Sequence, residues 1–237
     1  MLLWILAAFT AFFVKGLCGF TNTLVFTSVM SFGTGNASIS PVELLLGYPT
    51  NLILVWKNRK QLNRRIWLPL SALVLAGSIP GALLLKHTDS RLIKTVFGIA
   101  VILIALEMLL RNHLRLKECR LLLPVIGVLS GLLCGLYGIG ALLAAYVGRV
   151  TETGSGFKAN LSAVFIVENT IRLFVYAALG LITPASLMRA ASLAPVMLLG
   201  LLAGMKSAGL LSDRIVRTIV ILLLIVSGAV LIVQNIA

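Results

Sequence analysis

The stretch FFVKGLCGFTNTLVF, residues 12–26, decides how this chain folds. Its flanks, 1–13 and 24–30, are apolar enough for a membrane-spanning helix. Its middle carries Lys15, Gly16, Cys18, Gly19 and the triplet Thr21-Asn22-Thr23. A charge at the bilayer centre costs about 2.5–3.5 kcal/mol on insertion scales. Glycine in a helix interior adds a further penalty of roughly 0.5–1 kcal/mol. Two readings compete. Either the glycines allow close packing and Lys15 reaches back to the interface, or the helix breaks here and offers backbone, amide and hydroxyl donors to a ligand.

The rest of the chain sets the context. Its 237 residues are 59% hydrophobic, above the roughly 45–50% of soluble domains, and its mean hydropathy is +1.08. The apolar residues fall into eight segments at about 2–32, 41–56, 66–85, 92–110, 121–148, 159–180, 190–205 and 215–234. A bilayer core needs about 20 residues per helix, so the expectation is an all-α polytopic membrane protein. The net charge of +13 sits largely in short loops such as KNRKQLNRR (57–65) and RNHLRLKECR (111–120). Loops this basic stay cytoplasmic under the positive-inside rule, which accounts for the charge without nucleic acid. The expected location is the inner (cytoplasmic) membrane, multi-pass, with the N-terminal apolar run retained. Cys18, Cys119 and Cys134 lack metal or C-x-x-C spacing, and no disulfide is expected.

The segments form two quartets. RLIKTVF (91–97) aligns with RIVRTIV (214–220), and the same offset pairs Gly77 with Gly200 and Gly81 with Gly204. GLCG (16–19) resembles LLCG (132–135) at a shorter offset. This predicts a first repeat at 1–110, a basic connecting loop at 111–120 and a second repeat at 121–237. The first segment of each quartet is glycine-interrupted. Half of either one spans only about 21–23 Å at ~1.5 Å per residue, short of a ~30 Å core. If every segment crosses, the Lys/Arg of the loops divide ten against eight. If each interrupted segment is re-entrant, they divide fourteen against four. The charge rule favours re-entrant openings and inverted halves.

With these features the chain resembles the TauE/SafE family of sulfite and organosulfur anion exporters, also called the toluene-sulfonate uptake permease type. Four features carry the resemblance. They are the openings KGLCGFTNTL and SGLLCGLYGIGALLAAYVG, the helices SPVELLLGYPTNLILVW and KANLSAVFIVENTIRLFVYAALGLIT, the elements AGSIPGALL and LGLLAGM, and a closing apolar helix after a basic turn. The resemblance implies transport of a small anion such as sulfite, a sulfonate or sulfoacetate.

An anion leaving water needs donors in place of its hydration shell. The first opening offers Lys15, Gly19, Thr21, Asn22 and Thr23. The second offers Tyr137 and Gly138. GYPTN (47–51) adds Asn51, and Pro49 frees a carbonyl. In VENTIRLF, Glu168 and Arg172 stand at i and i+4 and share a helix face. They form either a neutral structural pair or an anion-attracting arginine beside a proton-coupling glutamate, with Asn169 and Thr170 adjacent. Glu43 follows SISP and reads as a first-turn residue of a helix opened by Pro41. Trp4, Trp56 and Trp67 read as interfacial anchors. Gly77, Gly81, Gly200 and Gly204 read as close helix contacts, and Glu107 with Arg111 as an interfacial pair. His87 and His113 fall in loops without metal-ligand partners.

No H-E-x-x-H, G-x-S-x-G or nucleotide-binding motif occurs, so no enzyme and no cofactor is expected. The function read from the sequence is a secondary transporter, an exporter working by alternating access. The alternatives are a non-transporting membrane scaffold and a transporter of an unrelated organic anion. The expected partners are the anionic substrate and the bilayer, with homo-oligomer formation left open.

Overall fold

A computed structural model describes residues 1–30, 36–84, 122–138 and 140–210, with single helical positions between 99 and 109 and between 215 and 233. The segments predicted at 92–110 and 215–234 therefore lie largely outside the described residues. So do the aligned Arg91, Lys94, Arg214 and Arg217, the 111–120 loop, Glu107, His87, His113 and Cys119.

Eight α-helices and one 3-10 turn (Arg59–Gln61) make up the described fold, with no strand among those residues. They are α1 (Leu2–Cys18), α2 (Asn22–Met30), α3 (Asn36–Lys57), α4 (Arg64–Leu84), α5 (Leu122–Tyr137), α6 (Ala141–Val150), α7 (Gly154–Ala178) and α8 (Pro184–Ala208). Three of the described stretches, 39–57, 154–178 and 184–208, are long and apolar enough to cross a membrane. Beside its apolar core the chain shows two features foreign to a water-soluble protein. Leu52, Phe174, Met188, Leu199 and Leu202 are exposed, while Lys15, Glu43, Glu168 and Arg172 are almost fully buried. A chain that turns leucine outward and charge inward has hydrocarbon as its solvent.

Both glycine-rich openings break. α1 ends at Gly19, left-handed at φ +91, whose N–H donates to Lys15 O at 2.6 Å. α5 ends at Gly138, φ +70, whose N–H donates to Cys134 O at 2.6 Å. Glycine carries this conformation without the Cβ penalty. The next helix restarts alike in both places, through Val25 N–H to Thr21 O and Ala144 N–H to Gly140 O. The two breaks thus share their local geometry, and the second falls at Gly138, three residues beyond the Gly135 that the letters GLCG and LLCG set against Gly19. After its break the chain doubles back, because the Trp4 and Phe26 rings meet edge to face at 5.9 Å.

The helix pairings are reciprocal. α1 packs on α8 and α4 on α5, α3 meets both α7 and α8, and α7 meets both α3 and α4. Glycine brings the first two pairs to backbone contact. A Cβ on Gly204 would strike Phe13 O, and one on Gly200 would lie 2.7 Å from Phe9 O. A Cβ on Gly77 would strike Val128 O, and one on Gly131 would strike Val74 O. The residue numbers rise together across each contact, so both pairs are parallel. α3 and α7 run antiparallel, since Ser40 meets Tyr176 (3.2 Å) and Tyr48 meets Thr170 (3.1 Å). Asn160 secures the same interface at its far end, accepting from Asn63 N–H at 2.9 Å and donating to Gln61 O.

Two readings of single residues change. Trp4 is 7% exposed, stacked under Arg189 at 4.5 Å, so it is a packed core residue and not an interfacial anchor. α3 begins at Asn36 and carries Pro41 inside it, so Glu43 is an interior residue of a buried helix and not a first-turn cap.

Candidate functional site

The breaks at Gly19 and Gly138 bring two hairpin tips to the α3–α7 interface, where the chain concentrates its buried charge. At the first tip Asn22 Nδ2 and Thr23 Oγ1 both donate to Glu43 Oε1, Thr23 at 2.8 Å. Glu43 Oε2 makes no hydrogen bond and lies 3.7 Å from Arg172. At the second tip Arg172 donates through one terminal nitrogen to Cys134 O (3.1 Å) and through the other to Asn169 Oδ1 (3.1 Å). Its Nε makes no hydrogen bond and lies 3.8 Å from Glu168 Oε1. The Arg172 guanidinium occupies the space where a Cβ on Gly138 would stand, so the left-handed glycine both ends α5 and admits the cation. Lys15 does not reach for the interface. It is 1% exposed and donates to Gly47 O at 3.3 Å, one turn beyond Glu43. Gly47 in turn leaves room for the Asn22–Glu43 contact, since its Cβ would lie 3.2 Å from both groups.

Of the residues singled out from sequence, Lys15, Asn22, Thr23, Gly138, Glu168, Asn169 and Arg172 join this cluster. Gly19 and Thr21 form the first turn itself. Thr21 is held at φ +79, and its buried hydroxyl makes no hydrogen bond among the described residues. Asn51 is buried two turns along α3 from Glu43, with its Oδ1 unbonded. The Tyr137 side chain lies outside the described residues. Glu43 is the residue the sequence reading missed. It is the sole acidic residue before Asp89 and stands in an apolar segment, which was the available signal.

On the other side of the first tip lies a cavity of about 580 Å³. Leu17, Cys18 and Phe20 form its floor. Its walls come from Lys57 and Asn58 at the end of α3, from 151–155 with Phe157 and Lys158, and from Met205, Ala208 and Gly209 at the end of α8. The floor is closed by Phe20 packed edge-on to Phe157 at 5.8 Å and by Lys158 reaching across Gly19 to Gly16 O at 3.1 Å. The same short hairpin thus presents Cys18 and Phe20 to an open vestibule and Asn22 and Thr23 to the buried charges.

Buried ion clusters beside broken helices are what a membrane site for a charged solute requires. A family model described as sulfite exporter TauE/SafE matches residues 4–231. The chain belongs to the TauE/SafE family. It is, at family level, a multi-pass membrane exporter of sulfite-type anions. A search of curated proteins and of solved structures finds no match. TauE/SafE members are transporters and not enzymes, which suits a site whose groups are charges and amides.

Proposed function

We propose that this TauE/SafE protein is a secondary transporter exporting small sulfur-containing anions, sulfite, sulfonates or sulfoacetate, by alternating access across the inner (cytoplasmic) membrane. The observation that carries the reading is the Arg172 guanidinium, buried beside two helix breaks with its Nε unbonded and with a carboxylate oxygen at 3.7–3.8 Å on two sides. Arg172 attracts the anion, and Asn169 and Glu168, each within one turn of it on α7, orient the guanidinium. Lys15, Asn22 and Thr23 complete the polar surroundings from the first hairpin.

Two inverted halves with re-entrant openings are part of the same proposal. Supporting it are the antiparallel α3–α7 pairing, the parallel α1–α8 and α4–α5 pairings and the matched breaks at Gly19 and Gly138. The vestibule supports it too, because it gathers residues from 57–58, 151–158 and 205–209 at one end of the bundle. Only in the inverted arrangement do these three loops share a membrane face.

Radiolabelled sulfite, sulfoacetate and taurine flux in proteoliposomes tests the function. The wild-type chain should move at least one of them, and Arg172→Lys should lower that flux by a factor of ten or more. Lysine keeps the charge but loses the planar fork, worth one or two charge-assisted hydrogen bonds at about 1.5–3 kcal/mol each. A folded sample that moves none of the three would favour a scaffold.

A further inference from the structure

The four Lys, Arg and Glu side chains buried among the described residues, Lys15, Glu43, Glu168 and Arg172, are two basic and two acidic groups. An entering anion therefore meets as many acidic groups as basic ones. Glu43 explains the balance. Its carboxylate sits at the start of α2, where it accepts from an amide and a hydroxyl and faces a guanidinium. Those are the donors a substrate anion would need.

We infer that Glu43 is an internal anion, occupying at Arg172 the place the substrate takes, and that the substrate enters as Glu43 leaves and accepts a proton. The inference rests on the transporter reading above. The geometry selects Glu43 over Glu168. Glu168 is one turn from Arg172 on the same helix, so the two move together whatever α7 does. Glu43 comes from α3, so its 3.7 Å contact depends on how α3 and α7 are disposed, and its Oε2 is already unbonded. Once parted from Arg172, a buried carboxylate is stranded, and protonation neutralises it. The titratable groups around the Glu43–Arg172 pair are Lys15 from α1, whose ammonium binds Gly47 O one turn beyond Glu43, Cys134 from α5, whose carbonyl binds Arg172, and Glu168 and Tyr176 beside Arg172 on α7. One singly charged anion, hydrogen sulfite or a sulfonate, entering with one proton leaves the charge of the cluster unchanged.

Calorimetric titration of sulfite into the purified full chain, in two buffers of different ionisation enthalpy, counts the protons taken up. Sulfite's own titration contributes equally to every variant, so differences between variants are read. Wild type should take up about one proton more per bound sulfite than Glu43→Gln, and Glu168→Gln should match wild type. Glu43→Gln should also bind sulfite roughly tenfold more tightly, because no internal anion remains to be displaced. If Glu43→Gln fails to fold, infrared difference spectra serve. Wild type and Glu168→Gln should both gain a protonated-carboxyl band on adding sulfite. An extra proton that persists in Glu43→Gln, or vanishes in Glu168→Gln, or a missing carboxyl band, overturns the inference. A wild-type chain that binds no sulfite overturns the transport reading instead.

Discussion

The Glu43 carboxylate lies 3.7 Å from the Arg172 guanidinium with both side chains almost wholly buried, so α3 and α7 meet through charge as well as through packing. Removing one partner of a buried pair costs about 3–5 kcal/mol, because the other is left uncompensated. Arg172→Gln strands two carboxylates and should lower folded yield and melting temperature sharply. Arg172→Gln combined with Glu43→Gln and Glu168→Gln should recover folded protein without recovering flux. Size-exclusion profiles and thermal unfolding in detergent read the first effect, and proteoliposome flux reads the second. A triple variant as unstable as the single one would contradict the charge argument.

Gly138 is constrained twice, by φ +70 and by the guanidinium beside it. Gly138→Ala should cost about 1–2 kcal/mol from the left-handed backbone alone. It should also push Arg172 off Cys134 O, so transport falls further than stability does. Gly154→Ala is the control, since a Cβ there meets nothing within 4 Å. Melting curves beside flux separate the two effects. Equal behaviour of the two variants would refute this account.

At Gly204 and Gly77 the neighbouring helix comes to backbone contact. Leucine at either position should destabilise by about 1–3 kcal/mol or more through overpacking. Loss of monodisperse protein for Gly204→Leu and Gly77→Leu, with Leu199→Ala on the exposed face of α8 tolerated, is the expected pattern in detergent.

The proposed inverted arrangement predicts which loops share a membrane face. In a chain with Cys18, Cys119 and Cys134 replaced, Arg59→Cys and Glu152→Cys should both react with an impermeant thiol reagent from the cytoplasmic side. Ala185→Cys, in the first turn of α8, should react only from the opposite side. Labelling of Arg59→Cys and Glu152→Cys from different sides would end the inverted arrangement.

Much of this was legible in residue types. Glycine at 19 and 138 marked the breaks because few other residues tolerate a left-handed turn there. Glu168 and Arg172 announced themselves by i,i+4 spacing in an apolar run. Gly77, Gly81, Gly200 and Gly204 marked the backbone contacts through their four-residue spacing. Glu43 was hidden by its neighbour, because Pro41 imitates a helix start although α3 runs through it from Asn36. Lys15 was ambiguous because its acceptor, Gly47 O, is a backbone atom that no letter of the sequence encodes. The shared geometry of the breaks at Gly19 and Gly138 was masked by the letters GLCG and LLCG, which set Gly19 against Gly135 instead.

The glycine contacts also set which helices are fastened most tightly. Where Gly204 lies on Phe13 and Gly77 on Val128, no layer of side chains separates the two backbones. α8 is therefore keyed to α1, and α4 to α5, so the first helix of the chain is locked, backbone to backbone, to one that lies far along the sequence.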